Sequence, residues 1–175
     1  MVFGMSLATF TLIHVIISLI GIGSGLLVLF GMFGGKRLDG MTALFLVTTV
    51  LTSLTGYLFP FEHLLPSHVV GGISLVVLAI AIVARYSFHL AGRWLTIYVI
   101  TAVMALYLNC FVLVVQSFLK VPALHALAPK GNEPLFAIAQ GILLVLFVVA
   151  GILAVKRFRS AEATSLARAA AAVKA

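Results

Sequence analysis

Charged residues are scarce in this sequence, and their scarcity decides the class of protein. Only 9% of the 175 residues are Asp, Glu, Lys or Arg, whereas 63% are hydrophobic and the mean hydropathy is +1.29. A soluble domain has roughly a quarter of its residues charged and could not cover so many apolar side chains. The composition therefore predicts a protein whose surrounding solvent is lipid.

Several signatures of known chemistry are missing as well. The single cysteine, Cys110, lies inside an apolar segment and excludes an intramolecular disulfide. The sequence has no tandem repeat, Gly-rich phosphate loop, CxxC pair, HExxH or GxSxG motif. No nucleophile, base and orienting acid can be assembled, which argues against catalysis by the chain alone. A nucleic-acid partner is not expected, because no soluble basic patch carries base-stacking aromatics.

Five long apolar segments make up most of the chain. Each has at least the ~20 residues that a helix needs to cross a ~30 Å hydrocarbon layer. They run over residues 7–33, 41–61, 67–90, 94–119 and 135–155. The sequence thus predicts an all-α integral membrane bundle of five transmembrane helices within residues 1–159. An Ala-rich tail, residues 160–175, is expected to continue helically into the cytoplasm.

The distribution of charge predicts the orientation of this bundle. The connections and ends on one side hold nine of the 11 basic residues, namely Lys36, Arg37, Arg85, Arg93, Lys156, Arg157, Arg159, Arg168 and Lys174. Lys and Arg in short loops favour the cytoplasmic side. We therefore expect the N-terminus outside and the C-terminus in the cytoplasm.

Polar residues inside the segments follow helical spacing. Thr11, His14, Ser18, Gly21 and Gly25 share one face of the first helix. Gly21 and Gly25 form a small-xxx-small pair, which predicts close contact with another helix of this chain, a homo-oligomer or a larger membrane complex. The fourth helix carries a second polar stripe with Tyr98, Thr101, Ala105, Asn109, Val112 and Gln116. Threonines 48, 49, 52 and 55 of the second helix can bond to the carbonyls four residues before them.

The hinge between the second and third segments, YLFPFEHLLPSHVVGG (residues 57–72), is the predicted border of a site. Histidines and amides on several helices fall at similar depth near this outer side. Intramembrane polar groups usually face the bundle interior and mark function. The predicted ligand-binding residues are His14, Tyr57, His68, Asn109, Gln116 and Gln140.

Several chemistries fit such a pocket, and the sequence leaves them open. Haem would use the imidazoles of His14 and His68. A quinone-like ligand would need hydrogen-bonding groups such as His14, Tyr57, Asn109 and Gln116 in an apolar pocket. A divalent metal would draw on Glu62, His63, His68 and His125.

Other functional classes compete with ligand binding. A small transporter or channel subunit would use His14, the only ionisable residue deep in a span. A purely structural or assembly role would use the small-residue faces. The preferred interpretation is non-catalytic binding of a small amphipathic ligand or prosthetic group, as an accessory subunit of a membrane assembly or alone.

The stretches LNCFVLVVQSFLKVPALHALAP and EPLFAIAQG resemble small polytopic inner-membrane proteins of proteobacteria, and the resemblance extends from TGYLFPFEHLLPSH to the fifth span. That family brings no known activity, so the resemblance assigns no functional residue. It implies a multi-pass location in a bacterial inner membrane.

Overall fold

The computed structural model of the protein describes residues 4–59, 66–129, 131 and 133–174. Helices make up 87% of these residues, and the described part of the chain has no strand. The helices are α1 (Leu7–Phe33), α2 (Asp39–Gly56), α3 (Pro66–Ile82, continued by a π-helical turn, Val83–Ser87), α4 (Arg93–Lys120), α5 (Pro122–Leu127) and α6 (Pro134–Lys174). The all-helical prediction is confirmed.

Local sequence explains where several of these helices begin and end. The Ser6 hydroxyl caps α1 by accepting a hydrogen bond from the Thr9 backbone N–H at 3.1 Å. Asp39 places a negative charge in the first turn of α2, where the helix dipole favours it. Pro122 follows Val121, whose extended backbone ends α4, because the residue before a proline avoids the helical region.

Among the described residues, four helices are long and apolar enough to cross a membrane: Leu7–Phe33, Ser67–Ser87, Arg93–Lys120 and Pro134–Ser165. The second predicted span, residues 41–61, is longer than the helix found there, because α2 ends at Gly56 and a turn follows at Tyr57. With 18 residues, α2 is about 27 Å long, slightly less than the ~30 Å hydrocarbon layer. The fifth predicted span and the tail form one continuous helix, α6, of 41 residues.

The first four long helices form an antiparallel bundle, and α6 lies along its outside. Within the bundle α1 packs on α2, α2 on α3, α3 on α4 and α4 on α1, while α6 contacts α4 and α1. The span of α4 is 44% buried, whereas the span of α6 is only 6% buried. The bundle therefore encloses its own core, and α6 leaves most of its surface facing outward.

The glycine pair of α1 is used inside this bundle. A Cβ atom added at Gly25 would lie 2.6 Å from Leu106 Cδ1 and 2.8 Å from Phe45 Cδ2. One added at Gly21 would lie 3.2 Å from Asn109 Nδ2. Of the partners that the sequence left open for this face, the structure shows α2 and α4 of the same chain.

Basic and acidic side chains join the helices at one end of the bundle, called here the arginine end. The guanidinium of Arg85, 6% exposed, pairs with the Asp39 carboxylate and donates to the Arg37 carbonyl at 3.3 Å. It also lies over the Tyr98 ring, with Cζ 5.1 Å from the centroid. Arg37 in turn pairs with Glu162 of α6 at 2.5 Å. These contacts connect the α1–α2 loop to α3, α4 and α6.

Candidate functional site

A cavity of about 320 Å³ occupies the opposite end of the bundle, which we call the cavity end. It lies among the N-terminal halves of α1 and α3 and the C-terminal halves of α2 and α4. Five of the six predicted ligand-binding residues line it: His14, Tyr57, His68, Asn109 and Gln116. The helices therefore bring together side chains that are up to about a hundred residues apart in the sequence.

His14 is half-buried and held against α2. Its Nδ1 atom lies 2.7 Å from the Thr55 hydroxyl oxygen. That hydroxyl donates its own hydrogen to the Leu51 carbonyl at 2.7 Å, so it accepts from Nδ1–H. The Phe59 ring meets the imidazole edge-on at 5.2 Å. The imidazole is thus oriented with Nε2 as its hydrogen-bond acceptor.

Tyr57 and His68 form the wall between α2 and α3. The Tyr57 hydroxyl donates to the His68 carbonyl at 2.5 Å, and the two rings lie 5.4 Å apart. A Cβ atom at Gly72 would come within 3.0 Å of the Tyr57 hydroxyl, and one at Gly71 within 3.3 Å of its ring. The two glycines therefore let the tyrosine lie directly on α3, and His68 is 5% exposed behind it.

Buried polar groups without hydrogen-bond partners form the floor of the cavity. Asn109 is 8% exposed and Thr49 is 1% exposed, yet the amide nitrogen of the first and the hydroxyl of the second make no hydrogen bond. Both atoms lie 3.2 Å from the place that a Gly21 Cβ would occupy. A buried polar group left unsatisfied costs about 1–3 kcal/mol. The floor therefore contains an unpaired amide donor and an unpaired hydroxyl, on two residues that line the cavity.

The threonines of α2 divide into two kinds, which the sequence could not separate. Thr48 and Thr55 donate to the carbonyls four residues before them, as helical threonines commonly do. The Thr49 and Thr52 hydroxyls make no such bond, and both residues line the cavity. Helical periodicity alone gave no signal for this difference, because all four residues lie in one short polar stretch.

Gln140, the sixth predicted ligand-binding residue, does not line the cavity. Its amide nitrogen donates to the Phe111 carbonyl at 3.2 Å, and its carbonyl oxygen is buried without a partner. Gln140 resembles the other candidates in depth and polarity, but it lies on α6, which packs on the outside of the bundle. Gln140 therefore fastens α6 to α4.

The mouth of the cavity carries positive charge. Gln116 and Lys120 lie on the α4 face that also holds Asn109, about two and three turns nearer the helix end, and both are exposed. Lys120 is the only charged side chain among the described lining residues. The rest of the lining is mostly apolar or neutral hydroxyl.

The residues proposed for a metal do not assemble within the described chain. Glu62 and His63 lie outside the described residues. His125 sits on α5, where Nδ1 lies 3.3 Å from the Phe118 carbonyl, and it does not line the cavity. Across the described ranges no three His, Cys, Asp or Glu side chains form a group suited to a metal ion.

The arrangement can therefore bind a polar headgroup inside an apolar space. Asn109 offers a donor at the floor, His14 offers an acceptor at Nε2, and apolar side chains of α1 and α4 surround both. A cavity near 320 Å³ falls at the lower end of the ~300–1,000 Å³ range of small-molecule sites. Comparison of the chain with protein-family models, curated protein sequences and solved structures finds no match.

Proposed function

We propose that this protein is a multi-pass membrane protein that binds a lipid-soluble, carbonyl-bearing ligand of the quinone type in the cavity, without transforming it. The observation that carries the proposal is the floor: a buried Asn109 amide donor and a buried Thr49 hydroxyl, both unpaired, belong to residues that line the same cavity as His14. A ligand that accepts from Asn109 would remove the cost of that unpaired donor.

A ring with two carbonyl groups could hydrogen-bond with both polar parts of the cavity, the Asn109 amide at the floor and the hydroxyl and imidazole groups beside it. One carbonyl accepts from the Asn109 amide, and the oxygen across the ring reaches the hydroxyl and imidazole side of the cavity. In the reduced, hydroxyl form that second oxygen donates to His14 Nε2, the acceptor that the Thr55 hydrogen bond leaves available. The modest volume favours one ring over a macrocycle, so a quinone fits better than haem.

The membrane arrangement that we propose has five crossings. α2 connects the arginine end, where α1 ends, to the cavity end, where α3 begins, so it traverses the bundle although it is shorter than α1. Most Lys and Arg residues lie at the arginine end, which supports a cytoplasmic location for that end and an outer-leaflet location for the cavity.

The proposed cellular location is a bacterial inner membrane. It is supported by the apolar helices, by the positive-inside distribution and by the resemblance of the fourth span and its loop to small proteobacterial membrane proteins. An accessory role in a larger assembly is compatible with α6, most of which faces outward.

The experiment is to identify what the protein retains on purification. The protein is extracted in mild detergent, its visible and ultraviolet spectra are recorded, and bound molecules are analysed by mass spectrometry after organic extraction. Asn109→Leu is compared with the matched control Gln140→Leu, which replaces an amide outside the cavity. We expect a quinone-type molecule near one per protein in the wild type and in Gln140→Leu, and at least about tenfold less in Asn109→Leu.

Two outcomes would contradict the proposal. A protein that carries only bulk lipid, and that takes up no added quinone, has no such site. A Soret absorption band with haem in the extract would replace the quinone with haem, and His14 would then be the first ligand to test by substitution.

A further inference from the structure

Besides its mouth at the helix ends, the cavity reaches the surface between α1 and α4. Near the middle of the bundle these helices touch, because Gly25 meets Leu106 and Gly21 meets Asn109. Nearer the cavity end the same two faces separate. Their side chains there line the cavity and yet remain exposed: Val15 is 43% exposed, Leu19 49% and Leu113 40%. A side chain that is both lining and exposed marks the place where a cavity reaches the surface.

Hydrogen bonds close two of the other walls. His14 and Thr55 join α1 to α2 at 2.7 Å. Ser53 donates to Ser74 at 3.1 Å, and Tyr57 to the His68 carbonyl, so α2 is joined to α3 at two levels. The fourth wall is formed by α3, which packs on α4. Within the described residues, the separation of α1 from α4 is therefore the side opening of the cavity.

This opening lies in the part of the surface that faces lipid. Its edges are the apolar side chains of Val15, Leu19 and Leu113, in segments long and apolar enough to cross a membrane. Leu113 is four residues from Asn109 on the same face, so the opening is about 6 Å from the floor along the helix. That distance accommodates one six-membered ring between the floor and the opening.

We propose that the gap between α1 and α4 is a lateral portal, and that the ligand is a single-ring headgroup with a long apolar tail that enters from the lipid phase. The inference rests on the proposed function. The ring lies inside the cavity against Asn109, and the tail passes out between Val15 and Leu113 into the bilayer. A water-soluble ring compound without a tail would fill the cavity but leave the portal empty.

The test compares two probes that differ only in the tail. The probes are a benzoquinone with a ten-carbon alkyl tail and the same ring without the tail, and equilibrium binding of each is measured with the full-length protein in lipid nanodiscs. The portal variants are Val15→Trp and Leu113→Trp. The controls are Ile16→Trp and Leu119→Trp, at exposed positions of the same helices that do not line the cavity.

The portal predicts a selective loss. In the portal variants the affinity for the tailed probe should fall about tenfold, because the indole occupies the path of the tail. The affinity for the tail-free ring should fall by much less, because Val15 and Leu113 line the cavity near its opening and not at the Asn109 floor. Leu113→Ala should act in the opposite direction and speed the exchange of the tailed probe. The control variants should bind both probes as the wild type does.

The outcomes separate this inference from the proposed function. If the wild type binds neither probe, the proposed function fails and the portal with it. If the wild type binds both probes but the portal variants affect neither, or weaken both equally, the portal is refuted and the binding site stands.

Discussion

Replacing Asn109 with leucine should stabilise the ligand-free protein while abolishing ligand binding. Asn109 is 8% exposed, and its amide nitrogen has no hydrogen-bond partner in the bundle. An unsatisfied buried amide costs about 1–3 kcal/mol, and leucine has nearly the same shape without the polar atoms. In a membrane the unfolded reference state also finds partners, so measured effects of polar groups are smaller, near 0.6 kcal/mol on average and about 1.7 at most. We therefore expect a gain of about 1 kcal/mol.

The assay is unfolding of the delipidated, ligand-free protein in mixed micelles, followed by far-ultraviolet circular dichroism as the fraction of denaturing detergent rises. Ser53→Ala provides a comparison of opposite sign. The Ser53 hydroxyl bonds to Ser74 across helices at 3.1 Å, so its removal should lower the free energy of unfolding by about 0.6 kcal/mol. Both variants remove one polar side chain from the cavity wall, and only one of them removes a hydrogen bond between helices.

The sign of the change in unfolding free energy caused by Asn109→Leu shows whether the Asn109 amide is unpaired in the bundle. If the variant is destabilised as Ser53→Ala is, then Asn109 is an ordinary interhelical hydrogen-bonding residue and its amide is not held in reserve for a ligand. If saturating quinone raises the stability of Asn109→Leu as much as that of the wild type, the amide does not contact the ligand.

Three further predictions concern the scaffold. Gly25→Ala should lower the free energy of unfolding by about 1–3 kcal/mol, because its Cβ would lie 2.6 Å from a core leucine. Gly23→Ala has open space around its Cβ and should raise the free energy of unfolding by about 0.5–1 kcal/mol. Equal effects of the two variants in the same micelle assay would contradict the packing of Gly25. Asp39→Asn leaves the buried Arg85 guanidinium without its counter-ion and should destabilise the protein by more than about 1 kcal/mol. Because the Asp39 carboxylate is exposed, the loss should be smaller than that for a fully buried ion pair. An unchanged stability would show that water replaces the carboxylate. The topology is tested by cysteine labelling in intact cells, in a variant that lacks Cys110. A membrane-impermeant maleimide should label Ser67→Cys directly but label His89→Cys only after the cells are permeabilised. The reverse pattern would show that the proposed topology is inverted.

The sequence predicts much of the cavity because helical periodicity determines which side chains share a face. On α1 and α4 the polar stripes containing His14 and Asn109 turn inward, since lipid on the outside would leave them unsatisfied. Depth along each helix then brings His68 and Gln116 to the same end of the bundle. The helix face and the depth of a residue were together enough to place five of the six predicted residues in the lining of the cavity.

Neighbour relations could not be predicted in the same way. Gln140 has a suitable depth and a face of its own, but which helix that face meets depends on where α6 docks. Arg85 was expected among the interfacial charges of a loop, and the structure buries it beside Asp39 and Tyr98. Both outcomes depend on contacts between segments distant in sequence, which local patterns do not encode.

Because of the π-helical turn at Val83–Ser87, the position of Arg85 depends on the number of residues in the third helix as well as on their identity. Such a turn contains one residue more than an α-helical turn would, and each α-helical residue turns the chain by about 100°. Deleting a single residue from it would let α3 continue as a regular helix and would swing Arg85 about a quarter of a turn relative to the buried Leu78. The guanidinium would then leave Asp39, although Arg85 itself had been kept. A change in residue number within this turn should accordingly be as disruptive as the replacement of Arg85 itself.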